Sequence, residues 1–292
     1  MELRVLQYFL AVAREGSISA AAEALHISQP TLSRQLKDLE AELGKSLLTR
    51  GSRKTTLTED GLLLQKRAQE LLTLAQKTES ELRQSNTHIG GDVWIGGGES
   101  EGMRLVAQAA RSLKEDYPDI HIHLVSGNAI DILERLEKGL VDFGVGVVGS
   151  FDAEKYESIW LPATHVAGLL MRKDSPLASR EFITAEDLQG IPLITSRNES
   201  SRRRHAQWMG EGFDQLNVVA TFNLIYNATF LVEEGVGYAL CWDRLVKPSE
   251  DHALCFIPYH PPMEFQINMV WKKHQVFSKA SLMFMDRMRE VV

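Results

Sequence analysis

Cysteine is scarce in this sequence, and metal-binding patterns are missing. The 292-residue chain contains two cysteines, Cys241 and Cys255, and neither lies in a CxxC or Cys/His ligand spacing. That usage argues against a disulfide framework and a zinc site, and two buried thiols are the simpler expectation. His121 and His123 share one face of a predicted strand but have no third ligand. We therefore predict neither a metal nor a cofactor.

Long apolar runs are also missing. No segment approaches the run of about 18 apolar residues that a transmembrane helix needs, so no membrane partner is predicted. The first residues, MELRVLQYFLAVAREGS, lack a basic start and a small-residue cleavage site. A signal peptide is therefore not expected, and the prediction is a cytoplasmic protein.

Positive charge is not in excess overall, because the formal net charge is −7. The charge is unevenly distributed, however. Residues 29–54 contain six basic and three acidic side chains, which gives this segment a local net charge of +3. Local charge decides contact with nucleic acid more than the total does, so the acidic balance does not exclude DNA binding.

The N-terminal segment predicts three helices, two of them joined by a tight turn. The first is expected over about residues 5–15. Ser17 is placed to cap the second, and Pro30 falls in the first turn of the third. Leucines 32, 36, 39 and 43 form one apolar stripe along that third helix, which Gly44 ends. This spacing is typical of a helix-turn-helix.

The residues that follow predict a wing. Two short extended pieces, SLLTR and TTLT, flank the basic turn of residues 51–54. Such a turn lays cations along a DNA backbone or into a minor groove. For the helices considered without the wing, the alternative to a helix-turn-helix is a helical hairpin with a solvated polar face.

The stretch FLAVAREGSISAAAEALHISQPTLSRQLKDLEAELGKSLLTRGSRKTTLTEDG resembles the DNA-binding domain of LysR-type transcriptional regulators. The resemblance rests on the alanine pair, SQPTLSRQLKDLE and LTEDG; Leu48 and Asp60 depart mildly from the family pattern. It implies a sequence-specific DNA-binding regulator that acts with RNA polymerase and is not an enzyme. The DNA-binding residues that we predict are Ser17, Ser28, Gln29, Pro30, Thr31, Ser33, Arg34, Lys37, Arg50, Arg53 and Lys54.

A long helix follows the wing. Thr58 can cap it, and no Gly or Pro occurs from residue 62 to residue 89. A 4-3-4-3-4 spacing, typical of a coiled-coil seam, joins Leu64, Ala68, Leu71, Ala75, Thr78 and Leu82. We predict that this seam dimerises the chain; the family resemblance implies a homodimer or a homotetramer, because dimers in the family often pair into tetramers. A single helix packed on its own domain is the alternative.

The remaining two thirds alternate strand-like and helical runs, which predicts βαβ units and a largely parallel sheet. A restart near residue 162 indicates two Rossmann-like lobes, with crossing strands near 161–164 and 264–266. This arrangement is similar to the effector domain of the same family, which resembles periplasmic binding proteins. The predicted domains are a winged helix-turn-helix at 1–58, a linker helix at 59–88 and an effector domain at 89–292. Lobe I covers about 91–161 and 266–292, and lobe II about 162–265.

The segment GGGESEG contains Gly98-x-Ser100-x-Gly102, the pattern of a hydrolase nucleophile elbow between a strand and a helix. No oxyanion loop precedes it, and none of the late histidines 252, 260 and 274 is marked as a base. We therefore expect Ser100 to bind a ligand without reacting. The hydrolase remains one alternative, and a solute-binding module that contacts protein instead of DNA is the other.

The ends of the predicted strands supply further candidates for a ligand cleft between the lobes. The predicted effector-binding residues are Gly98, Ser100, Ser126, Asn128, Thr195, Ser196, Arg202, Asn223 and Tyr226. The candidates at the strand ends also fit a helix cap or a turn, and the Arg202–Arg204 run also fits a solvated helix face. The predicted residues would bind a small-molecule effector, which the sequence does not identify.

Overall fold

A computed structural model describes residues 1–51, 54–83, 89–147, 151–245 and 253–292 of the chain. It divides into two compact units, Met1–Arg83 and Gln84–Val292. No helix among the described residues is long and apolar enough to cross a membrane.

The first unit contains four helices and a two-stranded wing. Its elements are α1 (Leu3–Glu15), α2 (Ile18–Ala24), α3 (Gln29–Leu43), β1 (Leu48–Arg50), β2 (Thr55–Leu57) and α4 (Glu59–Arg83). Ser17 caps α2 as the sequence predicts, since its hydroxyl accepts the Ala20 N–H at 3.4 Å; Ser28, which was not predicted as a cap, accepts the Thr31 N–H at 3.3 Å and caps α3. Each bond satisfies an N–H group that has no partner within its helix.

The apolar stripe of α3 fixes this helix in the unit. Leu32, Leu36 and Leu39 are buried against α1 and α2, whereas Leu43 at the end of the predicted stripe is 40% exposed. The Glu40 carboxylate accepts the N–H groups of Leu47 and Leu48 at 2.8 and 3.1 Å, which joins α3 to the wing. Helix α3 and the wing are therefore held together both by these bonds and by the core that they share.

Helix α4 begins at a close contact. The Thr58 hydroxyl accepts the Gly61 N–H at 3.0 Å, as a helix cap does. A Cβ at Gly61 would overlap the carbonyl oxygen of Leu47, so only glycine lets the first turn of α4 approach the wing this closely. Asp60, the mild departure from the family pattern, forms an ion pair with Lys45 at 3.4 Å.

The second unit is an α/β structure with two lobes. Its strands are β3 (Gly91–Gly97), β4 (Ile120–Ser126), β5 (Phe143–Val147), β6 (Tyr156–Arg172), β7 (Leu193–Ser196), β8 (Val218–Phe222), β9 (Tyr238–Trp242), β10 (Leu254–Pro258) and β11 (Glu264–Lys272). Its helices are α5 (Gly102–Asp116), α6 (Ala129–Glu137), α7 (Glu199–Met209), α8 (Ile225–Glu233) and α9 (Lys279–Val291).

Both lobes share one nine-stranded sheet in the order β4-β3-β5-β11-β6-β9-β7-β8, and β10 also pairs with β6. The sequence predicted a largely parallel sheet, but the centre of the sheet is antiparallel. β3 pairs in parallel with β4 and β5, and β7 with β8 and β9, but β6 and β11 run antiparallel to all their neighbours. Strands β6 and β11 pass from one lobe to the other in opposite directions. Each of them therefore runs antiparallel to the strands beside it.

The crossing is marked by an irregularity. The pairing of β6 with β11 shifts register between Gln266 and Ile267, opposite the segment 161–164. The sheet is covered on both faces, as in a doubly wound fold. In lobe I, α5 and α9 contribute Val106, Leu113 and Phe284 to one core, whereas α6 contributes Ile132 and Leu136 to the other. Lobe II has two cores of its own, one around Leu193 and Leu240 and one around Ile194 and Val232, and the two backbone crossings join the lobes.

Candidate functional site

The exposed end of α3 carries the predicted DNA-contacting side chains. Gln29, Pro30, Thr31, Arg34 and Lys37 are exposed, and Ser33 is half-buried. The Arg34 side chain is 84% exposed and lies 3.9 Å from Asp38, a distance at which the pair restrains it little. This surface therefore presents amide, hydroxyl and guanidinium groups, the groups that read base edges and phosphates.

Two serines at this face have a structural role as well. The Ser17 and Ser28 hydroxyls cap α2 and α3, and Ser28 also lies 2.7 Å from the Thr31 hydroxyl. In the wing, Lys54 is exposed and its backbone carbonyl accepts the Gly51 N–H. Arg53 and the side chain of Arg50 lie outside the described residues.

The predicted seam on α4 divides into two parts. Ala68 is fully buried, so the structure corrects it from a dimer contact to a contact within the unit. Leu64 is half-buried and packs against the core formed with α1, and its place in the seam stays a prediction. Farther along the helix, Leu71 is 40% and Leu82 is 81% exposed. Leu74, which the sequence prediction did not include, is 41% exposed. The start of the apolar stripe packs on α1, whereas the leucines farther along the helix are exposed.

A cleft lies between the lobes of the second unit. Five predicted residues line it, namely Gly98, Ser100, Asn128, Ser196 and Asn223. Thr195 and Arg202 instead line a second depression between α7 and β8, which Ser196 also borders. Ser126 and Tyr226 line neither of these spaces and are exposed, so the structure corrects their assignment to the cleft.

The three consecutive arginines of α7 face different directions. Arg204 lines the cleft, Arg203 forms a surface ion pair with Glu199 at 3.4 Å, and Arg202 borders the second depression. The prediction of Arg202 as the cleft arginine is therefore wrong. Successive helical residues are rotated by about 100°, so one member of the run faces the ligand space, and the sequence pattern does not say which.

Ser100 is the centre of a hydrogen-bonded chain that the sequence did not indicate. Its hydroxyl lies 3.2 Å from Nε2 of His165, a buried residue of β6, and accepts the Gly102 N–H at 3.0 Å. The Glu101 N–H also donates to Nε2, at 3.1 Å, so the His165 proton lies on Nδ1. Nδ1 then donates to the Asp243 carboxylate at 3.0 Å, which links lobe I through the crossing strand to lobe II.

This Ser-His-Asp chain differs from a catalytic triad in its surroundings. The backbone N–H groups of Glu101 and Gly102, which lie where an oxyanion hole needs donors, already bond His165 and Ser100. For the same reason, these two N–H groups at the start of α5 are not free to bind a ligand. A Cβ at Gly98 would meet only the Gly127 carbonyl oxygen, at 3.6 Å, so the backbone is not crowded there.

Glu99 makes the second polar link between the lobes. Its carboxylate accepts the N–H groups of Ile225 and Tyr226 at 2.6 and 3.3 Å, across the cleft at the start of α8. A carboxylate at this position satisfies unpaired N–H groups and interacts favourably with the helix dipole. Glu101, by contrast, points to Arg104, whose hydrogen bond lowers the pKa of the Glu101 carboxyl.

Helix caps account for other polar residues of the cleft. The Asn128 side chain accepts the N–H groups of Ile130 and Asp131 at 2.9 and 3.1 Å, and so caps α6 while it lines the cleft. Asn198, which was not predicted, accepts the Ser200 N–H at 3.0 Å and caps α7. Burial raises the pKa of the Cys241 thiol, so this cleft residue stays protonated.

Family models match nearly the whole chain. The bacterial regulatory helix-turn-helix protein model of the lysR family matches residues 3–62, and the LysR substrate binding domain model matches residues 87–292. The chain belongs to the LysR family of transcriptional regulators. It is a DNA-binding transcriptional regulator with an effector-binding domain, and the relatives below are regulators, not enzymes.

Curated LysR relatives cover the full chain or most of it. A probable RuBisCO transcriptional regulator of Synechocystis sp. is 32% identical over 100% of this chain and 85% of its own length. The regulator BsdA of Bacillus subtilis is 30% identical over 75% of this chain and 74% of its own length.

Solved structures of LysR regulators share the fold. The crystal structure of CbnR, a LysR family transcriptional regulator, covers 100% of this chain and 99% of its own, with a TM-score of 0.76 and 21% identity. Full-length CbnR in complex with its target DNA matches with a TM-score of 0.74, at 21% identity and full coverage of both chains.

The structure shows what the sequence reasoning missed. His165, Asp243 and His205 contribute to the cleft or its links, and none was predicted; Arg204 was considered only as part of the Arg202–Arg204 run. The one available signal for His165 was its position directly before the apolar run VAGLLM of β6. Of the histidines weighed as bases, His260 and His274 are exposed, and His252 lies outside the described residues.

Proposed function

We propose that this LysR regulator binds pseudo-palindromic promoter sites as a homodimer or homotetramer and responds to a small-molecule effector in the interlobe cleft. The single observation that carries this proposal is the exposed N-terminal end of α3, which presents Gln29, Thr31 and Arg34 on a helix joined to the wing by hydrogen bonds. The N-terminal end of such a helix enters the major groove and contacts base edges.

Dimerisation through α4 gives two such helices the spacing that a two-fold site requires. The exposed leucines of α4, Leu71, Leu74 and Leu82, supply the apolar surface that a partner helix buries. We also propose the domain division at 1–58, 59–88 and 89–292, RNA polymerase as a partner and the cytoplasm, which holds bacterial DNA, as the site of action.

Effector control follows from the two-lobed construction. Residues from both lobes and from the crossing strands line the cleft, so a ligand that contacts both lobes favours one arrangement of them. Such a ligand shifts the equilibrium only by its difference in affinity between the two arrangements. The altered arrangement then changes half-site spacing or DNA bending.

The testing experiment is footprinting of the intergenic region beside the gene for this chain, with competitor DNA at physiological salt. We expect a protected pseudo-palindrome. Arg34→Ala is expected to cost about 1–3 kcal/mol of specific binding free energy, because it removes a base or phosphate contact. The matched control is Arg111→Ala, which removes an exposed arginine of α5 and leaves DNA affinity unchanged.

Two outcomes would contradict the proposal. Equal protection by wild type and the Arg34→Ala variant would remove this residue from the DNA interface. No protected fragment from the source genome, with or without candidate metabolites, would favour a ligand-binding module that contacts protein.

A further inference from the structure

The second depression, between α7 and β8, is a concave space of lobe II with charged residues of its own. Its volume of about 430 Å³ is within the range of small-molecule sites. It borders the interlobe cleft, since Ser196 and Ser201 are among the residues that line both spaces. Five polar residues line the second depression and not the cleft, namely Thr195, Arg197, Arg202, Asp214 and Thr221.

Two arginines of this space carry charge that the described part of the chain does not neutralise. Arg197 follows β7, Arg202 lies in α7, and both are exposed. Neither guanidinium has a hydrogen-bond or ion-pair partner among the described residues. Arg203, the next residue of α7, instead pairs with Glu199 at 3.4 Å. Two guanidinium groups are therefore available to a ligand at one concave surface.

The sheet supplies hydroxyl groups to the same space. Thr195 of β7 and Thr221 of β8 are register partners in a parallel pair, so their side chains lie next to each other on one face of the sheet. Both residues line the second depression, and neither hydroxyl has a hydrogen-bond partner in the described ranges. A hydroxyl donates a hydrogen bond to an anionic oxygen and brings no charge. Guanidinium and hydroxyl donors together suit the oxygens of a phosphate or a carboxylate.

The charges of the lining favour an anion over a cation. Among the described lining residues, two arginines and one exposed aspartate, Asp214, give a formal charge of +1, because burial lowers the pKa of His205 and keeps that ring neutral. An anion with two charges interacts with both guanidinium groups, whereas an anion with one charge pairs with one of them. Half-buried Phe213 and Leu216 form an apolar side that suits a short hydrocarbon portion.

We propose that the second depression is a further ligand site of this regulator and that it takes a small dianion, a phosphate monoester or a dicarboxylate. Arg197 and Arg202 bind the negative charges, and Thr195 and Thr221 donate hydrogen bonds to the ligand oxygens. The inference goes beyond the proposed effector function, because these four side chains do not line the interlobe cleft.

The test is calorimetric titration of the full-length chain, without DNA and at constant ionic strength, with pairs of anions that differ in one charge. The pairs are methyl phosphate with dimethyl phosphate, and succinate with its monomethyl ester. A pH of about 8 keeps the phosphate monoester doubly charged. In at least one pair, we expect the dianion to bind at least about tenfold more tightly, because the monoanion leaves one arginine without a charge partner. The pair that shows the preference identifies the ligand as a phosphate or a dicarboxylate.

Substitutions at the two arginines assign the binding to the second depression. Arg197→Gln and Arg202→Gln should each weaken dianion binding at least about tenfold and reduce the preference over the monoanion. Both residues are exposed, so their replacement leaves the core intact. Arg203→Gln is the matched control, since Arg203 pairs with Glu199 on the helix surface, and it should change neither affinity.

A gain of affinity gives a test that does not depend on how the arginine variants fold. Asp214→Asn removes the negative charge from the lining, so the dianion should bind at least about threefold more tightly. Glu181→Gln makes the same change of charge at an exposed residue of lobe II that does not line the second depression, and it should leave the affinity unchanged. A misfolded variant loses affinity and does not gain it.

The proposal is overturned if neither dianion binds at millimolar concentration, or if the affinities within both pairs are equal. Dianion binding that survives each arginine substitution would place the anion elsewhere on the chain. Binding that Arg34→Gln abolishes instead would place it at the exposed end of α3. The titration contains no DNA, so its failure leaves the footprinting result standing, and loss of the footprint leaves the calorimetry unaffected.

Discussion

Single residues connect the lobes of the effector unit across the cleft. Glu99 bonds the start of α8 from the opposite lobe, and the Ser100–His165–Asp243 chain passes through the crossing strand β6. On the mechanism proposed above, an effector that enters between the lobes would act on these bonds.

We predict that Glu99→Gln weakens the link to α8. The amide removes the negative charge at the helix start and one of the two acceptors, so the amide protons of Ile225 and Tyr226 should exchange at least about fivefold faster by NMR. Glu101→Gln is the control, because it makes the same charge change in the same loop but affects the contact with Arg104. Unchanged exchange in the Glu99 variant would show that this carboxylate does not hold α8 in solution.

His205 also makes the folding stability of the effector unit depend on pH. Burial lowers its pKa in the folded chain, so below the ordinary value of 6.5 the unfolded chain binds the proton more readily than the folded one. The contribution of the neutral His205 ring to the free energy of unfolding is fully present above pH 6.5, and it is lost as the pH falls towards the pKa of His205 in the folded chain. The free energy of unfolding falls by up to about 1.4 kcal/mol per pH unit.

Denaturant unfolding between pH 7 and pH 5 tests this titration. His205→Gln should flatten the stability profile, whereas His121→Gln, at an exposed histidine of β4, should leave it unchanged. Parallel profiles for the His205 variant and wild type would mean that His205 does not titrate differently on folding.

At the scale of elements, α4 changes its role along its length. Its first turns pack on α1 through Leu64 and Ala68, and its later turns expose Leu71, Leu74 and Leu82. An apolar stripe on a helix of otherwise polar residues is unfavourable in water unless a partner covers it. The exposed part of α4 is thus where a second copy of the chain is expected to pack.

We predict that Leu71→Glu converts the oligomer to monomers at micromolar concentration, because it places a charge in the apolar seam. Sedimentation velocity measures the change. Gln76→Glu adds the same charge at an exposed position well away from Leu71 around the helix, and it should leave the oligomer intact. A Leu71→Glu variant that remains dimeric would place the interface elsewhere.

At the scale of the whole molecule, a DNA-binding chain with a net charge of −7 needs a local basic region to contact a polyanion. We propose that this region is α3 with the wing, since screening limits the contribution of distant charges to about a Debye length, roughly 8 Å at physiological salt. Affinity for DNA should therefore follow counterion release at a few local phosphate contacts.

We predict that the logarithm of DNA affinity falls linearly with the logarithm of salt concentration. Lys54→Ala in the wing should reduce the magnitude of that slope by about 0.9, the value for one phosphate contact. Lys273→Ala, at an exposed lysine of the effector unit, should leave the slope unchanged. Fluorescence anisotropy with a short duplex at several salt concentrations measures both. An unaltered slope in the Lys54 variant would remove the wing lysine from the phosphate contacts.

The sequence by itself determined the features that depend on neighbouring residues. The helix-turn-helix, its caps at Ser17 and Ser28, the wing strands and the alternation of strands and helices all follow from short-range periodicity and capping chemistry. These interactions join residues within about one helical turn or along a single strand, so the linear pattern contains them. The same holds for the position of Asn128 at a helix start beside the cleft.

Tertiary structure decided which side chains meet. Glu99 and Ile225 are 126 residues apart, and His165 and Asp243 are 78 apart, so no periodic pattern relates them. Packing also decided that Arg204, not Arg202, faces the cleft, and that Ala68 belongs to the core and not to a dimer seam. The antiparallel centre of the sheet likewise follows from how two long strands cross between the lobes. Such contacts depend on where the elements lie in space, which the residues of each element do not specify separately.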